Sequence, residues 1–242
     1  MGFLFTVFYQ PTANILFFLM ELLSTNSIVV GILALVIASK LILLPSSVKN
    51  TRMQIKMRDV ADELQEIKKS TDDRKEQAEK TLAVYKKNNI NPLTPIASLF
   101  IQIPIFISIF FVVRDLGTGE FPFSDVFYSF VTAPESINYT FLSSSVLFVK
   151  GGILVAVLVF LTQLLITHFT TKNTPGSGKK TQKIIFFGVM PILIAIFSFF
   201  MTATVGLYWL FNNLVTILQE VLVMNKFRQE DAVLEQAEHP EG

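Results

Sequence analysis

The chain has 242 residues, of which 51% are hydrophobic and 16% charged, with 24 Phe and a mean hydropathy of +0.53. That balance is too apolar for a water-soluble surface and indicates a polytopic, all-α membrane protein. Cysteine is absent, which excludes disulfides, thiolate metal sites and an acylated N-terminal cysteine. His168 and His239 are far apart, so no metal site, other cofactor or catalytic residue is expected.

Residues 1–23 are aromatic and apolar and contain neither Lys nor Arg. A signal peptide needs a basic start and a small-residue cleavage site, so that reading fails. Pro11 is expected to split the segment, leaving residues 11–23 as an interfacial helix. A short extra span is the alternative. A Ser24-Thr25-Asn26 turn then starts the first span, residues 24–45. Lys40 stands inside it, where a charge costs roughly 3 kcal/mol at the centre of a spanning helix. Such a residue usually faces a bundle interior or a wet cavity. Lys40 is only about 7–8 Å along the helix from Pro45, so a snorkelling stem is the other reading.

Residues 46–91 form the long polar block, with eleven of the 20 basic residues and eight acids interspersed. Met53, Met57, Val60, Leu64 and Ile67 recur at steps of four and three, the seam of a helix that packs on a partner. Ser70-Thr71-Asp72-Asp73 offers an N-cap for a second helix. Ala78, Leu82 and Tyr85 continue an apolar stripe, and Glu76 and Lys80 form a favourable i,i+4 pair. A helical hairpin standing out of the membrane is expected, and a generic coiled-coil handle is its alternative.

Four more spans are expected in residues 92–224. The second (96–113) carries Gln102 and Pro104, and a loop of acids and aromatics follows it. The third (146–167) carries Lys150, a snorkelling anchor, and Gln163. A polar loop containing Gly176-Ser177-Gly178 leads to the fourth (184–200). The fifth (205–224) follows a four-residue link, which makes these two helices antiparallel neighbours, and it carries Tyr208, Trp209, Asn212, Asn213 and Gln219. Residues 225–242 form an acidic tail, expected to lose order after a turn or two. With five spans, one side holds 17 of the 20 Lys and Arg. The positive-inside rule puts the N-terminus outside and the hairpin and C-terminus inside.

Several stretches carry a resemblance: Lys40-Leu-Ile-Leu-Leu-Pro45 with Lys56-Met57 beyond it, Tyr85-Lys-Lys-Asn-Asn-Ile-Asn-Pro92-Leu, Ile101-Gln-Ile-Pro-Ile-Phe106, and Gly206-Leu-Tyr-Trp-Leu-Phe-Asn-Asn-Leu-Val-Thr-Ile-Leu-Gln219. In this order, with a hairpin between spans one and two, they resemble the YidC family of bacterial membrane insertases. The resemblance implies a multi-pass protein of the bacterial plasma membrane that inserts nascent membrane proteins into the lipid bilayer without ATP. It implies action alone or beside the Sec translocon, with the translocon and the ribosome as candidate partners, and no DNA. It also implies a hydrophilic groove, open to the cytoplasm and lipid and sealed outside, with a basic residue on the first span.

Lys40 occupies that position where the family commonly has arginine. It keeps the charge and loses the planar bidentate fork. Gln102, Gln163, Asn213 and Gln219 are candidates to share the groove, with interhelical hydrogen bonding as the alternative for each. Asn212 reads as structural. Trp209 lies on the side that meets substrate by the resemblance and is a packing residue by its position alone. Met53 and Met57 would give the hairpin an adaptable, substrate-recruiting face. The acidic tail speaks against ribosome docking through that segment. A chaperone acting only beside the translocon, and a transporter or channel, are the competing functions.

Overall fold

The computed structural model describes residues 2–71, 73–91, 93–141, 144–145, 153–172 and 188–238. Asp72, Pro92, Lys150, the Gly176-Ser177-Gly178 loop and His239 lie outside them.

The N-terminal segment is not split at Pro11. A widened turn, Phe5–Tyr9, runs directly into α1, Gln10–Leu22. Pro11 sits in the first turn of α1, and the wider turn before it makes room for a ring that a regular helix would crowd. One face of α1, Ala13, Leu16, Phe17 and Met20, is buried where the helix packs against α2 (Ile28–Asp59) and α5 (Thr94–Thr118). Gly31 allows the approach to α2, since a Cβ there would stand 2.7 Å from Met20 Cγ. Ser24, at φ 51°, turns the chain between the two helices.

Pro45 does not end the first long helix, as the sequence suggests it should; it lies inside α2. A proline removes one N–H, here the partner of the Leu41 carbonyl, and the flanking turns keep the rod continuous. After Val60 come α3, Ala61–Ser70, and α4, Arg74–Lys87, which pack on each other as a helical pair. Asp73 caps α4 by accepting from the Lys75 N–H at 2.8 Å. The pair Lys80–Glu76 forms at 2.8 Å, and hydrogen bonds from Lys80 and then Thr71 hold the Glu76 carboxyl below its usual range. The hairpin core is Val60, Val84 and Ile90, with Met53, Met57, Leu64, Ile67 and Tyr85 against it. Leu82 is 55% exposed and Ala78 is exposed too. The buried face of α4 therefore runs through Gln77, Thr81, Val84 and Asn88, about one residue round from the expected stripe.

Helix α5 runs past the expected boundary to Thr118 and ends on Gly119 in the left-handed region, φ 77°, a common helix stop. The following loop is a packed body. Phe121, Val126 and Val131 are buried, and Phe17 meets Phe121 and Phe127 with ring centroids 5.4 and 5.1 Å apart. The Asn14 amide bonds the Val126 carbonyl at 2.8 Å and accepts the Tyr128 N–H at 2.7 Å. The loop returns to the start of α2 through the Ile28 N–H and the Asn138 carbonyl. A two-residue antiparallel pair, β1 (Thr140–Phe141) with β2 (Ser144–Ser145), follows.

The remaining helices are α6 (Ile153–Lys172), α7 (Met190–Phe200) and α8 (Ala203–Glu238). α8 touches α2, α5, α6 and α7 and is the axis of the bundle. Gly206 lets it close on its neighbours, because a Cβ there would stand 2.7 Å from Val155 Cγ1. α8 also continues through the expected loose tail to Glu238. The tail is rich in Arg, Gln, Glu, Ala and Leu, all good helix formers, and has no Gly or Pro before Pro240. Ile28–Met53, Phe100–Thr118 and Ala203–Leu222 are long and apolar enough to cross a membrane. Ile153–His168 and Met190–Phe200 are shorter apolar helices.

Candidate functional site

Helix α8 carries polar residues at helical spacing within an apolar span: Asn213, Thr216 and Glu220, at steps of three and four. Such residues stack along one face over about 10 Å. Two neighbouring helices send polar side chains to meet them.

On one side is α2. Lys40 Nζ donates to Thr216 Oγ1 at 2.8 Å, and the Thr216 hydroxyl itself donates to the Asn212 carbonyl at 2.6 Å. Lys40 is half-buried, so the ammonium is held against another helix at this depth. Lys40 is about 18 Å along α2 from its start, and Thr216 about 20 Å along α8. Both starts lie at the same end of the bundle, beside the packed loop. The carboxylate of Glu220, one turn beyond Thr216 and half-buried, is within electrostatic range of Lys40.

On the other side is α6. Asn213 is 2% exposed, and a buried primary amide needs partners for its N–H groups. It finds them in Thr162 Oγ1 at 3.1 Å and Gln163 Oε1 at 3.3 Å. Gln219 Nε2 is buried without a hydrogen-bond partner among the described residues. Trp209, half-buried on α8, packs between α5 and α7, with its ring 5.5 Å from Phe106 and 5.9 Å from Phe197.

Of the residues singled out by sequence, Lys40, Gln163, Asn213, Trp209 and Gln219 are thus gathered on or against α8. Gln102 is exposed on α5 and joins no hydrogen bond of this cluster. Met53 and Met57 are half-buried against the hairpin core, and Met53 Sδ accepts the Asn91 N–H at 3.2 Å. Thr162, Thr216 and Glu220 escaped the sequence reading. Thr216 and Glu220 had a signal in the steps of three and four from Asn213, and Thr162, on α6, had none. Glu220 lies inside the expected fifth span, 205–224, and was not singled out.

The family described as 60Kd inner membrane protein matches residues 18–230. The chain belongs to this family. It is 29% identical over 254 residues to a protein of Caulobacter sp. (strain K31) named membrane protein insertase YidC, a match covering 95% of this chain and 38% of that protein. It is 28% identical over 189 residues to a relative of the same name from Oceanobacillus iheyensis, covering 76% of this chain and 69% of that protein. A third relative of that name, from Clostridium perfringens, is 28% identical over 201 residues, covering 81% of this chain and 78% of that protein. Family and apolar helices together make this a multi-pass protein of the bacterial plasma membrane.

Proposed function

We propose that the protein inserts nascent membrane proteins into the bilayer through a polar half-membrane groove lined by α2, α6 and α8. The single observation that carries this reading is the Lys40–Thr216 contact between two membrane-spanning helices. A charge used only as an interfacial anchor would have its head in the lipid headgroups. Lys40 instead turns its ammonium to a hydroxyl on a facing helix, beside the Asn213–Gln163 pair.

In this reading the five apolar helices all span, with the hairpin and C-terminus in the cytoplasm. The packed loop with α1 closes the outer end. A substrate tail must cross about 30 Å of hydrocarbon. Polar groups reaching from the cytoplasm to Lys40 shorten that path and lower the desolvation cost. Lys40 attracts an acidic tail, Gln219 solvates it, Asn213 and Gln163 brace α8 against α6 behind the groove, and Gln102 and Trp209 border the lipid-facing rim. The substrate helix partitions into lipid, and the membrane potential contributes roughly 2.3 kcal/mol per elementary charge per 100 mV. The hairpin meets the emerging chain first, with Met53 and Met57 offering polarizable surface at its root.

The test is reconstitution of the purified chain into liposomes with a single-span substrate whose translocated tail is acidic, read by protease protection. Lys40→Ala is expected to reduce insertion and Lys40→Arg to preserve it. Undiminished insertion by Lys40→Ala and Lys40→Glu would overturn the groove-charge reading. Activity only with added Sec translocon would favour the chaperone function.

A further inference from the structure

Lys40 is not an unopposed cation. Its ammonium is fixed to Thr216 at 2.8 Å, and α8 places a carboxylate, Glu220, one turn further along the same face. That acid lies within the apolar span that ends at Leu222. It is half-buried, and Lys40 and Glu220 each act electrostatically on the other. A carboxylate at membrane depth is costly unless it is paired or wet, and the pair brings the formal charge of this part of the groove to zero. Opposite charges in a low-dielectric site attract more strongly than in water.

We propose that Glu220 is the resting counterion of Lys40 and sets how acidic a substrate tail must be to engage the groove. This rests on the charged-groove reading above and names its specificity-determining residue. An incoming carboxylate has to compete with Glu220 for the ammonium. A strongly acidic tail does so, and a weakly acidic tail does not. Discrimination then comes from a repulsive element as well as an attractive one. Thr216 keeps the ammonium directed at α8, so that it serves Glu220 and the substrate in turn.

The experiment uses the full chain in liposomes and three single-span substrates that differ only in having a neutral, a weakly acidic or a strongly acidic translocated tail. Initial insertion rates are compared for the unsubstituted protein, Glu220→Gln, Lys40→Ala and the double variant, each first shown to be monodisperse. Glu220→Gln is expected to speed the weakly acidic tail several-fold relative to the neutral tail. Lys40→Ala, which leaves Glu220 unopposed, is expected to be slowest with the strongly acidic tail, and the double variant to regain part of that loss. If Glu220→Gln matches the unsubstituted protein on all three tails and the double variant equals Lys40→Ala, the counterion role is overturned while the charged groove stands. If Lys40→Ala is itself without effect, the groove reading falls and the counterion role falls with it. A uniform loss across all three tails on Glu220→Gln would make Glu220 structural, and would overturn the inference too.

Discussion

The two ends of the helical bundle solve opposite problems with the same kinds of residue. At the loop end, α1, α5 and residues 120–139 close over an aromatic cluster. The polar groups there are consumed internally: Asn14 clamps the loop backbone, Tyr9 donates to Asp115 at 2.9 Å, and Arg114 pairs with Asp115 at 2.6 Å while lying over Phe111. Toward the hairpin end, Lys40, Gln219 and Glu220 are half-buried, and a Gln219 donor has no partner among the described residues. Satisfied polar groups lock a structure, whereas unsatisfied or labile ones are available to a visitor. The contrast sets a packed, internally hydrogen-bonded end against a half-buried polar cluster toward the other.

Substitutions can break this contrast, and their effects should fall in a definite order. The largest expected loss is Phe17→Ala. Phe17 is 2% exposed and meets three aromatic rings, so truncation should cost about 3–5 kcal/mol, read as thermal unfolding in detergent. Asn14→Ala comes next, at about 3 kcal/mol, because it strands the Val126 carbonyl and the Tyr128 N–H in a buried setting. A cost below that of an ordinary surface change would mean the loop is held by other means. Thr216→Val should reverse the pattern. Its stability cost is about 1 kcal/mol, while insertion of acidic-tailed substrates should change markedly, since Lys40 loses its acceptor. Smallest is Leu82→Ala on the exposed face of the hairpin, within about 0.5 kcal/mol of the unsubstituted protein; Val84→Ala, on the buried face, should exceed it.

The sequence disclosed the order of helices and the hairpin, because hydropathy and 3.6-residue periodicity are local signals. It also marked Lys40 and Asn213, since polar residues in a span stand out. Three things escaped it. Leu82 looked like core because Ala78 and Tyr85 lie at helical steps from it, yet Gln77 and Thr81 share the buried face with Val84. Hydrophobicity alone did not orient a helix with apolar residues on two sides. Pro11 read as a break and Pro45 as the end of the first span, while a widened turn and a continuous rod absorb them. Asn14 carried no signal, because the partners that hold the loop are backbone groups more than a hundred residues away and backbone groups have no sequence. Lys40 could be placed on a helix from sequence, but only the pairing of α2 with α8 says which side chain it faces.

The continuity of α2 has a mechanical consequence. Its 32 residues make a rod of about 48 Å, which begins under the closed loop and ends at the root of the hairpin. Lys40 sits on that rod 19 positions before Asp59, about 28 Å of lever arm. A load on the hairpin is therefore delivered along one continuous helix to the segment that carries Lys40, past Pro45, where the helix is one hydrogen bond short. Whatever pulls the hairpin aside also bears on the contact between Lys40 and Thr216, since one shaft carries both.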